Sequence, residues 1–209
     1  MHRAALLAAG LVAAAPAALA HPEGVLDCAV RVAFGAKGLA GVELELTLDP
    51  ASSKKVLAHH TLDSAGVPSG APAAALRDAM RELLQTSGWM LDLRPAGAPS
   101  ALTLAETAPL ALRRDTSGQL AIRARLAPVG DVPAAAAWRV VCRDPTWYWF
   151  AGFTRPDQVE AAGCSATLGE LQGSGAAPES ATDADDQHGD APHAAPRAQE
   201  ARLSCPGRG

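Results

Sequence analysis

The chain has 209 residues, with 18 Lys and Arg against 22 Asp and Glu, and a formal net charge of −4. This length fits one domain with shorter flanking segments. A slightly acidic chain without clustered Lys and Arg lacks the electrostatic surface that nucleic acid requires, so we exclude nucleic-acid binding.

The first twenty residues predict a secretory signal peptide. A basic start at His2 and Arg3 precedes an Ala-, Leu- and Val-rich run and a small-residue motif, Ala18-Leu19-Ala20. The run is shorter than the ~20 apolar residues of a spanning helix. We therefore expect cleavage before His21, no transmembrane helix in the mature chain, and a periplasmic or secreted location.

Two alternating segments then predict a β-hairpin. Apolar side chains occupy every second position in Leu26–Phe34 and again in Gly41–Leu48, and a Gly-containing turn lies between them. Each strand should bury one face.

One main helix is predicted next. Pro72 suits a first helical turn, apolar residues follow at helical spacing from Leu76 to Leu84, and Gly88 can end the helix. The stretch after Asp49, which contains His59 and His60, has no clear period.

Further short strands complete the predicted domain, which spans residues 21–172. They are Trp89–Arg94, Leu102–Glu106, Leu110–Arg114, Gln119–Leu126, Trp138–Arg143, Trp147–Phe153 and Cys164–Leu168. Short strands with one helix predict an α+β fold, mainly antiparallel β, with sandwich-like sheet layers.

From residue 173 onward the composition changes to Gly, Ala, Pro, Ser and Asp, which predicts a disordered acidic tail over residues 173–209. Export places Cys28, Cys142, Cys164 and Cys205 in an oxidising compartment. Since Cys205 falls in the predicted tail, we expect at most one disulfide in the body, between two of the other three cysteines.

Cleavage before His21 would create a pair of metal ligands on one residue. The new α-amine and the imidazole can chelate nickel, cobalt, zinc or copper. The amide of Pro22 has no N–H and cannot become a further ligand, so other donors must come from the fold. The candidates are Glu23, Asp27, Asp49, His59, His60 and Asp144. A mobile terminus without metal is the alternative.

The segment Trp147–Phe153 holds five of the eight aromatic residues of the chain. Such a strand packs in a core or presents an aromatic surface to a partner. Catalytic motifs are not evident, because Gly163–Gly169 lacks the G-x-S-x-G spacing and no phosphate-binding glycine loop occurs. We therefore expect no enzyme activity.

Several of these motifs resemble a bacterial family of unknown function that is described as the periplasmic component of an uncharacterised ABC-type transport system. They are His21-Pro22, the strand with Asp27, Thr47-Leu48-Asp49, the segment from Asp144 to Phe150, and Ala162–Leu168. The resemblance implies metal handling beside a nickel- or cobalt-type permease. His21, Asp27, Asp49 and Asp144 match family positions, whereas Glu23 stands where members have a second histidine.

These observations predict an exported, non-enzymatic accessory protein that binds a transition metal and serves a membrane permease. The metal ligands would be His21, Glu23, Asp27, Asp49 and Asp144. The alternative is a periplasmic interaction or assembly module without metal. A copper redox enzyme is a third hypothesis, and it would require His59 or His60 near the N-terminus.

Overall fold

The computed structural model describes residues 24–146, 149–169 and 200–207. The predicted signal peptide, His21 and Glu23 therefore lie outside the described residues. Among the residues described, no helix is long and apolar enough to cross a membrane.

The predicted hairpin is confirmed as strands β1 (Gly24–Gly35) and β2 (Gly38–Leu48), paired antiparallel. The alternation of the sequence matches burial: Leu26, Cys28 and Val30 face the core, and Arg31 is exposed. The periodicity is strong here because one face of the hairpin packs inward and the other meets water.

A short helix, α1 (Pro50–Leu57), follows β2 in the stretch for which no period was apparent. The Asp49 side chain accepts hydrogen bonds from the first backbone N–H groups, and Pro50 occupies the first turn. The predicted main helix is α2 (Gly70–Thr86), which begins two residues before Pro72. An ion pair between Arg81 of α2 and Glu106, 3.0 Å apart, helps hold it in place.

The remaining strands differ in part from the predicted segments. The structure has β3 (Leu91–Pro95), β4 (Leu104–Arg114), β5 (Leu120–Pro128), β6 (Ala137–Cys142), β7 (Trp149–Gly152), β8 (Val159–Ala161), β9 (Ser165–Gly169) and β10 (Glu200–Ser204). Strand β4 joins the two separate strands predicted between Leu102 and Arg114, with register shifts along it.

Strand β3 starts at Leu91 because the preceding residues form a tight left-handed turn. Gly88, Trp89 and Met90 all have positive φ, between 54° and 65°. Only glycine adopts this conformation freely, and a Trp and a Met held there each cost about 1 kcal/mol or more. Both side chains are buried in the core, which stabilises the turn against that cost.

The strands form two sheets, which agrees with the predicted α+β, mainly β fold. One has six strands in the order β4-β5-β2-β1-β7, with β8 also paired to β1, and the other has the order β3-β6-β10-β9. Pairing is antiparallel except for β7 and β8, which run parallel to β1. The core contains residues of both sheets, and the rings of Phe34 and Trp138 lie 5.4 Å apart between them.

The prediction of a disordered tail over residues 173–209 is wrong for residues 200–207. Strand β10 lies between β6 and β9 and pairs antiparallel with both. Its Ala201 and Leu203 are buried, so this short apolar alternation is part of the core despite its surroundings in the sequence. The rest of the predicted tail lies outside the described residues.

The structure has the single disulfide expected within the body and a second disulfide, to Cys205, that was not predicted. Cys28 of β1 bonds to Cys142 of β6 and joins the two sheets, and Cys164 bonds to Cys205. The second bond forms because β10 brings Cys205 back beside the start of β9. Two disulfides are typical of an exported protein.

Candidate functional site

The predicted metal ligands that the structure describes divide into one residue on a sheet face and two at the start of β1. Asp27 is half-buried on the outer face of β1, opposite Thr47 of β2 and Gly152 of β7. Asp49 follows β2, and Asp144 follows β6. Although 95 positions separate them in sequence, Asp49 bonds directly to Val25 of β1, and Asp144 bonds to Trp149, the β7 residue that pairs with Gly24 of β1.

Asp49 holds the beginning of β1 and the beginning of α1 with a single carboxylate. Its Oδ2 accepts from the backbone N–H of Val25 at 2.9 Å and from the hydroxyl of Ser52 at 2.7 Å. Its Oδ1 accepts from the N–H groups of Ala51 and Ser52 at 2.9 and 3.0 Å. Burial alone would raise the pKa of Asp49, but these hydrogen bonds outweigh burial and lower it.

Asp144 organises the neighbouring strand in a similar way. It is buried, with 3% of its surface exposed. Its Oδ1 accepts from the N–H and hydroxyl of Thr146 at 2.8 and 2.7 Å, and its Oδ2 accepts from the N–H of Trp149 at 2.9 Å. Trp149 is the residue of β7 that pairs with Gly24.

Gly24 marks the tightest point of this arrangement. A Cβ atom at residue 24 would collide with the Trp149 ring and lie 2.6 Å from the Ser52 hydroxyl. Only a residue without a side chain therefore fits between α1 and β7. The backbone at Gly24 and Val25 is thus held by the hydrogen bond to Asp49 and by the neighbouring Trp149, whose own N–H bonds to Asp144.

The two carboxylates are engaged in hydrogen bonds to the protein itself. In residues 24–146, 149–169 and 200–207, no three His, Cys, Asp or Glu side chains come close enough together to hold a metal ion. Hydrogen-bonded carboxylates keep further lone pairs, but their present contacts orient the backbone. The described part of this site thus orients the backbone at the start of β1, which directly follows residues 21–23 in the sequence.

The adjacent histidines lie beyond the far end of α1 from Asp49. Their backbone N–H groups bond to carbonyls of Val56 and Leu57, which ends the helix. An eight-residue helix is ~12 Å long, so His59 and His60 lie well away from the carboxylate of Asp49 at the other end. His60 Nδ1 is buried and has no hydrogen-bond partner among the described residues.

An apolar cavity lies under α2, next to the start of β1. Its volume is about 50 Å³, and Leu26, Leu48, Met80, Met90 and Trp149 contribute to its lining. Sites for drug-sized ligands have volumes of about 300–1,000 Å³. The cavity therefore provides room for packing adjustment around Trp149 rather than a place for such a ligand.

Sequence reasoning missed Gly24, Ser52 and Trp149 as parts of this site. Asp49 followed by Pro50 is a recognisable helix start, and that signal could have identified α1 and its cap. The pairing of Trp149 with Gly24 had no local signal, because it joins residues 125 positions apart in a parallel ladder.

Comparison with known proteins gives one family. None of the curated proteins compared with the sequence matches it. Residues 6–205 match the family described as "Protein of unknown function (DUF1007)". This match covers nearly all of the 209 residues and carries no information on transport or metal binding. The chain belongs to the DUF1007 family of proteins of unknown function.

Proposed function

We propose that the protein is an exported, non-enzymatic accessory protein of a membrane transport system that binds a divalent transition metal through His21. The metal would be nickel, cobalt, zinc or copper, and the partner a membrane permease. The observation that carries the metal proposal is the start of β1, where Val25 bonds to Asp49 and Gly24 pairs with Trp149, whose N–H bonds to Asp144.

Chain geometry links this support to the proposed ligand. His21 precedes Gly24 by three residues, and three residues span at most ~11 Å. The amine and imidazole of His21 therefore stay within reach of the acidic start of β1. A tethered ligand pair needs less ordering on binding than a long free terminus would.

The hydrogen bonds divide the candidate ligands into two roles. Asp49 and Asp144 are positioning residues in this proposal, since their oxygens already hold backbone N–H groups. Glu23 and Asp27, the other two carboxylates among the predicted ligands, supply oxygen ligands beside the two nitrogens of His21 in this proposal. Such a mixed nitrogen and oxygen set suits the later first-row divalent metals.

The transport and periplasmic parts of the proposal have different support. Two disulfides favour an oxidising compartment such as the periplasm. The role beside a permease rests on the family resemblance of the sequence motifs. The absence of enzyme activity is part of the proposal, and no residue is assigned a catalytic role.

The test is calorimetric titration of Ni²⁺, Cu²⁺ and Zn²⁺ into protein whose N-terminus is verified as His21 by mass spectrometry. The matched sample carries one extra Gly before His21, which moves the α-amine away from the imidazole. We expect at least tenfold weaker binding of one or more metals in the extended protein. Equal affinities, or no binding by either, would contradict the proposal.

A His59→Gln variant with the native His21 terminus serves as the histidine control. We expect its affinity to equal that of the parent, because His59 lies beyond the far end of α1. A loss of binding equal to that caused by the Gly extension would instead favour a site shared between His21 and His59.

The alternative function, an interaction or assembly module without metal, is favoured by the place of β7. This short aromatic strand is at the edge of the six-stranded sheet, and Trp149 and Phe150 are half-buried. An edge strand can pair with a strand from a partner. The alternative predicts that Phe150→Ser weakens binding to a membrane partner while metal titrations show no binding.

A further inference from the structure

The four-stranded sheet carries three arginines directly opposite one another on its outer face. Arg94 of β3 pairs with Arg139 of β6, and Arg139 in turn pairs with Arg202 of β10. Side chains opposite one another on neighbouring strands have Cβ atoms ~5 Å apart, and like charges there repel. We call Arg94, Arg139 and Arg202 the arginine row.

A buried carboxylate orients two members of the arginine row. Glu200 is 2% exposed and accepts from Nε of Arg139 and from Nε of Arg202, each at 2.9 Å. Burial alone would raise the pKa of Glu200, but the two guanidinium groups outweigh it and lower the pKa. Glu200 therefore stays charged and holds each guanidinium by one of its five N–H bonds.

Asp92, the second carboxylate on this face, has weaker contacts to the arginines than Glu200 has. Asp92 Oδ2 lies 3.3 Å from Arg94 and 3.9 Å from Arg139, while Oδ1 is buried without a hydrogen-bond partner among the described residues. The row thus has three positive charges against the two carboxylates of Asp92 and Glu200. It leaves a net positive charge of one on a chain whose formal net charge is −4.

An open crevice adjoins the arginine row. Its volume is about 440 Å³, and Arg139, Glu200 and Arg202 line it beside the small residues Ala96, Gly97 and Ala137. This volume is within the range of small-molecule sites. Arg139 and Arg202 use Nε for Glu200, and Nη1 of Arg139 lies 3.9 Å from Asp92. Their other Nη groups make no hydrogen bond to another described residue and can bind a ligand in the crevice.

We propose that this crevice is a binding site for a small oxyanion ligand, one that carries a phosphate or a carboxylate group. A guanidinium group binds either oxyanion with two parallel N–H···O bonds. An anion between Arg139 and Arg202 would also relieve the repulsion within the arginine row. The crevice lies on the four-stranded sheet, whereas Asp27 lies on the six-stranded sheet, and this proposal does not depend on the proposed metal site.

The test is titration of the folded, disulfide-bonded chain with inorganic phosphate and, in a second arm, with succinate. Both arms are followed by NMR of the arginine Nε–Hε signals at constant ionic strength set with chloride. We expect saturable shifts of Arg139 and Arg202 in at least one arm. Phosphate alone or succinate alone would identify the oxyanion class, and saturation in neither arm would overturn the proposal.

Matched variants separate this site from general charge effects. Arg202→Gln removes a guanidinium that is 62% exposed, and Arg125→Gln removes one that is 65% exposed on the other sheet. We expect at least tenfold weaker binding for Arg202→Gln and unchanged binding for Arg125→Gln. Equal losses in the two variants would overturn the proposal. Arg202→Lys keeps the charge without the planar fork and should give an intermediate affinity.

Discussion

The outer faces of the two sheets distribute their charges in opposite ways. On the six-stranded sheet the signs alternate across strands, since Glu43 of β2 stands between Arg31 of β1 and Arg125 of β5. On the four-stranded sheet the arginine row places three like charges side by side. One face thus satisfies its charges within the sheet, whereas the other retains an excess.

The two charge distributions indicate different roles for the two outer faces. Alternation lets every carboxylate of β2 contact oppositely charged neighbours; Glu45, for example, receives two bonds from Arg113 at 2.6 and 2.7 Å and two from Arg123 at 2.9 and 3.0 Å. Like charges in register cost up to about 1 kcal/mol per pair. A row that carries this cost next to a crevice is better explained by ligand binding than by stability.

The largest expected effect comes from separating the two sheets. Replacing both Cys28 and Cys142 with Ala removes the disulfide that joins them across 114 residues. We expect the free energy of unfolding to fall by about 3–5 kcal/mol, because the unfolded chain gains entropy. Urea denaturation followed by circular dichroism measures the change.

The second disulfide provides the control for that experiment. Cys164 and Cys205 are 41 residues apart, and the entropic effect grows only with the logarithm of loop length. Their replacement by Ala should cost about 1 kcal/mol less than loss of the first bond. A larger cost for this pair would show that the four-stranded sheet, rather than the joint between sheets, limits stability.

A smaller loss of stability is expected when the central carboxylate of either outer face, Glu200 or Glu45, is replaced with Gln. Glu200→Gln leaves Arg139 and Arg202 without their buried counter-charge and should cost about 2 kcal/mol, less than a fully buried pair because both arginines are partly exposed. Glu45→Gln should cost about 1 kcal/mol, since Glu45 is more exposed than Glu200. The reverse order would contradict the comparison of the two faces.

The same two variants have a predictable dependence on pH. For both Glu45 and Glu200, burial opposes ionisation, but bonds to arginines lower the pKa in the folded state. The stabilisation is therefore complete above the unfolded pKa of about 4.3 and is lost as pH falls through the lower folded pKa. The differences in unfolding free energy between parent and variants should shrink in acid, and constant differences down to pH 2 would contradict this cause.

The smallest expected effect is a gain in stability rather than a loss, and it comes from replacing Asp92. Burial raises the pKa of Asp92, and Arg139 and Arg143 offset this only in part. Stability from this residue therefore decreases as pH rises from the unfolded pKa of about 3.9 through the higher folded pKa. Asp92→Asn should increase the unfolding free energy slightly at pH 7, by less than about 1 kcal/mol, and a decrease in thermal denaturation experiments would contradict this.

Local patterns predicted the elements whose burial repeats with a regular period. The alternation of Leu26, Cys28 and Val30 predicted β1, and the helical spacing of Leu76, Met80 and Leu84 predicted α2. Strand β10 was missed because its five residues follow a long polar stretch, so average composition concealed Ala201 and Leu203. The left-handed turn at Trp89 and Met90 depends on tertiary packing and has no local signal.

The candidate sites were predictable to a lesser extent than the fold. Motif resemblance suggested Asp49 and Asp144 as metal ligands, which stays a prediction, but it did not indicate their hydrogen bonds to Val25 and Trp149, which depend on the pairing of β1 with β7. The arginine row joins residues 94, 139 and 202, and it requires the register of three strands that are distant in sequence. Such sites arise from long-range pairing, which periodicity does not encode.

The most direct test of the proposed function is where a bound metal lies. Substoichiometric Cu²⁺ added to the native His21 terminus should broaden the amide NMR signals of Val25, Ser52 and Trp149 first. The Ala36 and Lys37 signals should stay sharp, because these residues lie in the turn beyond Gly35, and β1 extends ~36 Å from Gly24 to Gly35. Uniform broadening, or broadening that persists unchanged after a Gly is added before His21, would contradict a metal site at the start of β1.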